Sequence, residues 1–209
     1  MNRVKDKRLW LSIVGITGLG LLSGLFSVNA REYYQALRLP SFAPPGWLFG
    51  PVWLVLYIFM GITFYFILVH PNKQQKKRMI TLFILQFIAN FFWTFFFFSL
   101  QNNLLSVIDI SLLWLLLIVQ QWDYLRYKLI TRGWLMIPYI LWVTFAAALN
   151  YSILFLNEEY QNTRKKWELA IFLWCFFIYF NVVILRQLLI FSQILLNVGC
   201  RLLQRLNQL

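Results

Sequence analysis

Few side chains in this sequence could carry conventional reaction chemistry. His70 is the only histidine; it stands at the end of an apolar run close to Lys73, where a solvated role fits better than acid–base catalysis. No HExxH, no GxSxG and no carboxylate pair is present. Cys175 and Cys200 lie in apolar surroundings without CxxC or zinc-ligand spacing, and read as buried thiols. What the chain has in abundance is aromatic side chains: 10 Trp, 10 Tyr and 21 Phe, 20% of all residues. The most informative group is Phe42, Trp47, Phe49, Trp53 and Tyr57, interleaved with Pro40, Pro44, Pro45 and Pro51. The prolines fix φ and remove amide donors, so this stretch cannot be helical throughout; it makes a stiff, extended lead-in to a helix that accepts Pro51 in its first turn. Such a segment could close over a cavity as a lid, or its rings could form an interfacial belt.

The elements that position these rings follow from composition. Of 209 residues, 61% are hydrophobic and 12% charged, against about 45–50% and 25% in soluble domains. A water-soluble fold of this size could not hide that much apolar surface. Disorder and a disulfide-stapled scaffold are excluded by the same numbers and by the two Cys. The chain is read as an all-α integral membrane protein whose first partner is the lipid bilayer. The formal charge of +12 sits in short clusters between apolar runs, which indicates topology and headgroup contact rather than nucleic acid.

Five apolar runs, about Leu9–Val28, Leu48–Val69, Ile80–Leu100, Leu104–Trp122 and Trp134–Leu156, each approach the roughly 20 residues needed to span a bilayer as a helix. The first is too long for a signal-peptide core and is read as a retained span. A sixth run, Trp167–Leu185, carries Glu168 and Asn181, and the tail from Arg186 to Leu209 looks amphipathic. The expected organisation is therefore a five-helix domain over residues 1–157 and an extension over 158–209 with an extra hydrophobic helix. Arg3, Lys5, Lys7 and Arg8, then Lys73, Lys76, Lys77 and Arg78, then Arg126, Lys128 and Arg132 collect on one side, against Arg31 and Arg38 on the other. This places the N-terminus in the cytoplasm of a multi-pass cell-membrane protein. Gly20 and Gly24 form a GxxxG step, suited either to dimerisation or to packing within one chain. Asn90 and Asp109 fall inside spans, where a polar group either bonds a neighbouring helix or serves a function; Asp109, near the outer end, could also cap.

Three blocks of residues resemble the TspO/MBR family, the tryptophan-rich sensory proteins whose animal members are called translocator protein or peripheral-type benzodiazepine receptor. The pattern P-S-[WF]-x-P-P followed by P-V-W-x-x-L-Y-x-x-M-G is matched from Pro40 to Gly61. Gln86, Asn90 and Trp93 match a third-span block, and Pro138, Tyr139, Trp142, Phe145, Ala146, Leu149 and Asn150 match a fifth-span block. Together the blocks cover about residues 8 to 157.

The resemblance implies a five-helix bundle, often a homodimer, with an internal ligand cavity under the first loop. Family ligands include porphyrins, haem-related tetrapyrroles, cholesterol in animals and synthetic benzodiazepine-type compounds. No cofactor is required; a porphyrin or haem-like ligand is the expected guest. The ligand-binding residues carried over are Tyr34 and Pro44 from the loop, Trp53 from span two, Asn90 and Trp93 from span three, and Trp142, Phe145, Ala146 and Leu149 from span five. A porphyrin is a flat, largely apolar π-system of the kind aromatic side chains contact favourably. Animal members end the fifth span with a cholesterol motif that needs a Lys or Arg soon after its Tyr. Here Tyr151 is followed by Ser152 to Leu156 without one, so specific cholesterol recognition is not expected. Two other functions stay open at this level: light- and oxygen-dependent porphyrin breakdown using Trp53 and Trp142, and a ligand-free assembly role.

Overall fold

The computed structural model describes residues 5–157. The expected sixth run, the amphipathic tail, the division at residue 158 and both cysteines lie outside the described residues.

Three of the spans begin where a polar break supplies a side-chain cap. Asp6 accepts the amide of Arg8 at 3.0 Å and opens α1 (Lys7–Leu22), which tightens into a 3₁₀ segment, Ser23–Ser27. After a short turn, α2 (Ala30–Ala36) forms inside the first loop. The Pro-rich stretch is not extended throughout but turns at Ser41 and Phe42, with the Ala43 amide donating to Pro40 O at 3.0 Å. A single 3₁₀ turn at Gly46–Leu48 then leads into α3 (Phe49–Leu68) with Pro51 in its first turn. Asn72 caps α4 (Lys73–Thr94) by accepting from Gln75 at 3.0 Å, and Asn102 caps α5 (Asn103–Arg126) by accepting from Leu105 at 3.0 Å. The last described helix, α6 (Ile130–Asn157), passes unbroken through Pro138. These side-chain oxygens satisfy amides that a helix start leaves orphaned.

Five helical stretches are long and apolar enough to cross a membrane: Lys7–Ser27, Gly46–Leu68, Lys73–Ser99, Asn103–Arg126 and Ile130–Asn157. All but Gly46–Leu68 extend past the apolar runs at the basic side, because helix geometry continues into the headgroup region where Lys73 or Arg126 can reach water. Exposed Leu11, Val14, Ile108, Leu112 and Leu115 form the outer surface such spans present to lipid. The chain is an integral, multi-pass membrane protein.

In the bundle α3 packs on α4 and α6, α5 lies between α4 and α6, and α1 runs along α3. The α1–α3 contact depends on Gly61, where an added Cβ would stand 2.6 Å from the Ile13 Cα. Gly20 is likewise used within the chain, with the Tyr57 ring 2.6 Å from its absent Cβ, whereas Gly15, Gly18 and Gly24 meet nothing within 4 Å.

Polar side chains stitch the helices together. The Tyr139 hydroxyl donates to Gln86 (3.0 Å) between α6 and α4, and the Trp114 indole to Thr144 (3.0 Å) between α5 and α6. Arg78 pairs with Asp123, which is only 1% exposed, between α4 and α5. Asp109 does not act as the cap; Asn102 does. Its Oδ2 is buried and has no hydrogen-bond partner among the described residues.

Candidate ligand cavity

Beneath the first loop lies a cavity of about 1130 Å³. Three helices and the loop build it. From α1 and its 3₁₀ continuation come Gly20, Ser23 and Gly24; from α3, Phe49, Trp53 and Tyr57; from α4 and the turn after it, Trp93, Thr94 and Phe98. Pro44, Pro45 and Trp47 close it from the loop side, and Tyr34, Arg31 and Gln35 of α2 complete the rim.

The rings form a continuous array. Trp53 stacks on Tyr57 (centroids 5.6 Å, 27° between planes) and lies 6.4 Å from Trp93, which stacks on Phe97 at 5.4 Å. The polar atoms of Trp93 and Tyr57 are tied to the bundle. The Trp93 indole donates to Asn150 Oδ1 (3.3 Å), which also accepts from Ser106 (3.1 Å), and the Tyr57 hydroxyl donates to Asn90 Oδ1 (3.1 Å). Side chains held this way present π-faces at fixed angles, which suits recognition by shape and stacking.

Phe98 arrives through a backbone irregularity. The run Phe95–Ser99 is a π-helical turn, with the Leu100 amide donating to Phe95 O at 2.9 Å. The wider turn advances the register, so that Phe97 is buried against Trp93 and Phe98 reaches the cavity. Such bulges cluster at functional sites.

The roof is pinned at three points. The Tyr34 hydroxyl donates to Pro44 O (2.9 Å), and the Tyr33 hydroxyl to Asn103 Oδ1 (3.0 Å). Asn157 both accepts from the Arg38 amide (2.8 Å) and donates to the Arg38 carbonyl (3.0 Å). Burial pushes the Tyr34 phenol above its ordinary pKa of 10.0, which keeps it protonated as a donor.

Of the residues expected from sequence, Tyr34, Pro44, Trp53 and Trp93 line this cavity. Asn90 does not line it but bonds Tyr57, which does. The α6 candidates Trp142, Phe145, Ala146 and Leu149 are not on its wall either. Trp142 sits edge-on to Phe49 (5.7 Å) and Phe145 edge-on to Phe42 (6.2 Å), so both meet rings of the loop and its helix start. Ala146 and Leu149 are buried in helix packing, and the Trp142 Nε1 is buried without a partner among the described residues. Arg31, Gln35, Ser23, Gly24 and Phe98 also line the cavity and were not expected there from the sequence, which offered Gly24 only as a helix-packing residue and Arg31 only as a topology charge. The small residues Ser23 and Gly24 were the available signal, since they leave room beside a helix. No cluster of three or more His, Cys, Asp or Glu that could hold a metal occurs among the described residues.

The family profile described as "TspO/MBR family" matches residues 11–156, well over half of the chain. The chain belongs to the TspO/MBR family. It is similar to the tryptophan-rich protein TspO of Chlorobaculum tepidum, 37% identical over 129 residues, which cover 61% of this chain and 81% of that relative. It is similar also to the TspO of Archaeoglobus fulgidus, at 34% identity over 72% of this chain and 97% of that protein. The human translocator protein is 28% identical over 75% of this chain and 96% of its own length. The matched TspO/MBR region and the described five-helix bundle nearly coincide, so the aromatic cavity lies wholly within the part of the chain shared with the family.

Proposed function

We propose that this TspO/MBR protein is a membrane receptor or carrier for a flat, hydrophobic ligand of the tetrapyrrole class, bound in the cavity under the first loop. The observation that carries this reading is the aromatic wall itself, Phe49, Trp53, Tyr57, Trp93 and Phe98 around about 1130 Å³. That space is slightly above the roughly 300–1,000 Å³ of drug-sized ligand sites, and its walls offer π-faces with few polar groups. Arg31 and Gln35 at the rim supply charge and hydrogen bonding where an acidic substituent of such a guest would emerge. The names of relatives, sensory protein and translocator protein, agree with a receptor or carrier role. The basic clusters at the α1 start and after α3 support a cytoplasmic N-terminus.

The test is a titration of purified protein with protoporphyrin IX, followed by quenching of tryptophan fluorescence. Saturable quenching at one ligand per chain is expected. Linear, non-saturating quenching, as for partition into detergent, would refute the cavity reading and favour an assembly role.

A further inference from the structure

A second cavity, of about 640 Å³, lies at the other end of the bundle, where the basic clusters gather. Three elements meet there: the start of α1 with Asp6 and Arg8, the end of α3 and the following turn from Tyr65 to Pro71, and the start of α6 with Thr131 and Arg132. It shares no lining residue with the aromatic cavity.

Its charges are set by packing. Nε and Nη2 of Arg132 donate to the Phe66 carbonyl (3.2 and 2.7 Å), and the guanidinium stands 5.9 Å from the centre of the Phe66 ring. A cation fixed on a C-terminal carbonyl of α3 complements the helix dipole. Arg132 Nη2 also lies 3.4 Å from His70 Nδ1, while His70 Nε2 faces Gln75 Oε1 at 2.8 Å. The one acid of the wall among the described residues, Asp6, is already engaged: Oδ1 accepts the Arg8 amide (3.0 Å) and Oδ2 accepts the hydroxyl of buried Tyr65 (3.0 Å). Beside the pocket, Lys76 Nζ donates to Leu68 O (2.6 Å). Among the described residues the wall carries two guanidinium groups against one carboxylate, while Phe66, Leu68, Val69 and Pro71 make an apolar floor at the membrane boundary.

We propose that the pocket between the α1 start, the α3 end and the α6 start is a binding site for a phosphate-bearing anion, the headgroup of an anionic phospholipid, held by Arg132 and Arg8. A guanidinium matches phosphate oxygens in geometry and charge, and basic pockets between spans on the cytoplasmic side suit anionic headgroups. The apolar floor fits the glycerol and upper acyl region of a lipid better than a bare ion.

The test uses the full chain in non-ionic detergent, with adducts read by native mass spectrometry after equilibration with phosphatidylglycerol or phosphatidylcholine. The expected result is one phosphatidylglycerol retained in preference to phosphatidylcholine, weakened about tenfold by R132Q, less by R8Q, and partly restored by R132K. Because R132Q also removes two bonds to the α3 end, melting temperatures are compared first. If R132Q does not fold, R8Q carries the comparison, since that side chain is exposed. Displacement of the lipid by millimolar inorganic phosphate identifies free phosphate as a sufficient ligand; persistence of the lipid identifies the headgroup with its glycerol. Equal retention of the two lipids, or an unchanged phosphatidylglycerol adduct in folded R8Q and R132Q, overturns the proposal.

Discussion

Asn157 grips the backbone of Arg38 from both sides, accepting its amide at 2.8 Å and donating to its carbonyl at 3.0 Å, across 119 positions of sequence. The last described residue of α6 thereby fixes the segment that leads from α2 into the proline run over the cavity. Asn157→Leu removes both bonds. At about 0.5–1 kcal/mol for each partly exposed bond, the fold should survive, while release of protoporphyrin IX should accelerate several-fold in stopped-flow fluorescence. An unchanged release rate would mean that the roof is held elsewhere.

The Tyr34 phenol makes the roof sensitive to alkali. Its pKa is raised above 10.0 by burial in the folded protein, so the unfolded chain loses this proton first. Tyr34 therefore favours folding below pH 10, and its contribution falls as pH rises above 10 and the unfolded chain ionises. Melting temperature measured between pH 9 and 11 should fall less steeply in Tyr34→Phe than in the wild type. Parallel slopes would show that other groups govern alkaline stability.

The close approach of α1 and α3 gives a paired prediction. Gly61→Ala sets a Cβ 2.6 Å from backbone of Ile13, which neither helix can accommodate without moving apart. A loss of about 1–3 kcal/mol is expected. Gly18→Ala meets nothing within 4 Å and should leave the detergent-solubilised protein's melting temperature unchanged or slightly higher. Equal effects of the two substitutions would contradict the packing.

The two motif tryptophans should separate in a binding assay. Trp53 is on the cavity wall, while Trp142 stands behind Phe49. Trp53→Ala should weaken protoporphyrin IX binding about tenfold, corresponding to about 1.4 kcal/mol. Trp142→Ala should act less strongly, through the placement of Phe49. The reverse order, measured by quenching titration, would place the ligand against α6 instead.

Arg31 tests how the guest is oriented. Arg31→Gln should weaken protoporphyrin IX about threefold to fivefold, the scale of an exposed ion pair, and leave its dimethyl ester unaffected. Equal losses for acid and ester would remove any carboxylate contact with Arg31.

Much of this architecture was legible because lipid enforces simple rules. Five apolar runs had to be helices, and the caps Asp6, Asn72 and Asn102 stand in the polar breaks that separate them. Pro40, Pro44 and Pro45 marked where helix could not form, and α3 does start just beyond them with Pro51 in its first turn. Other features depend on three-dimensional accidents of packing that no local pattern encodes. α2 hides in the loop because its seven residues are too few to register as a span. The cavity extends toward α1 because Ser23 and Gly24 leave room there, and away from α6 because Phe49 fills the space before Trp142. Asn150, a motif residue not assigned to the ligand, holds Trp93 by its indole.

The π turn in Phe95–Ser99 fits one residue more into the span than α-helical winding over the same rise would hold. A deletion inside the phenylalanine run can therefore be absorbed by ordinary winding, with Asn102 and everything downstream keeping its heading. The same deletion in the middle of α5 would swivel every later side chain by about 100°. In this final turn of the third span, length is negotiable where elsewhere in the bundle it is not.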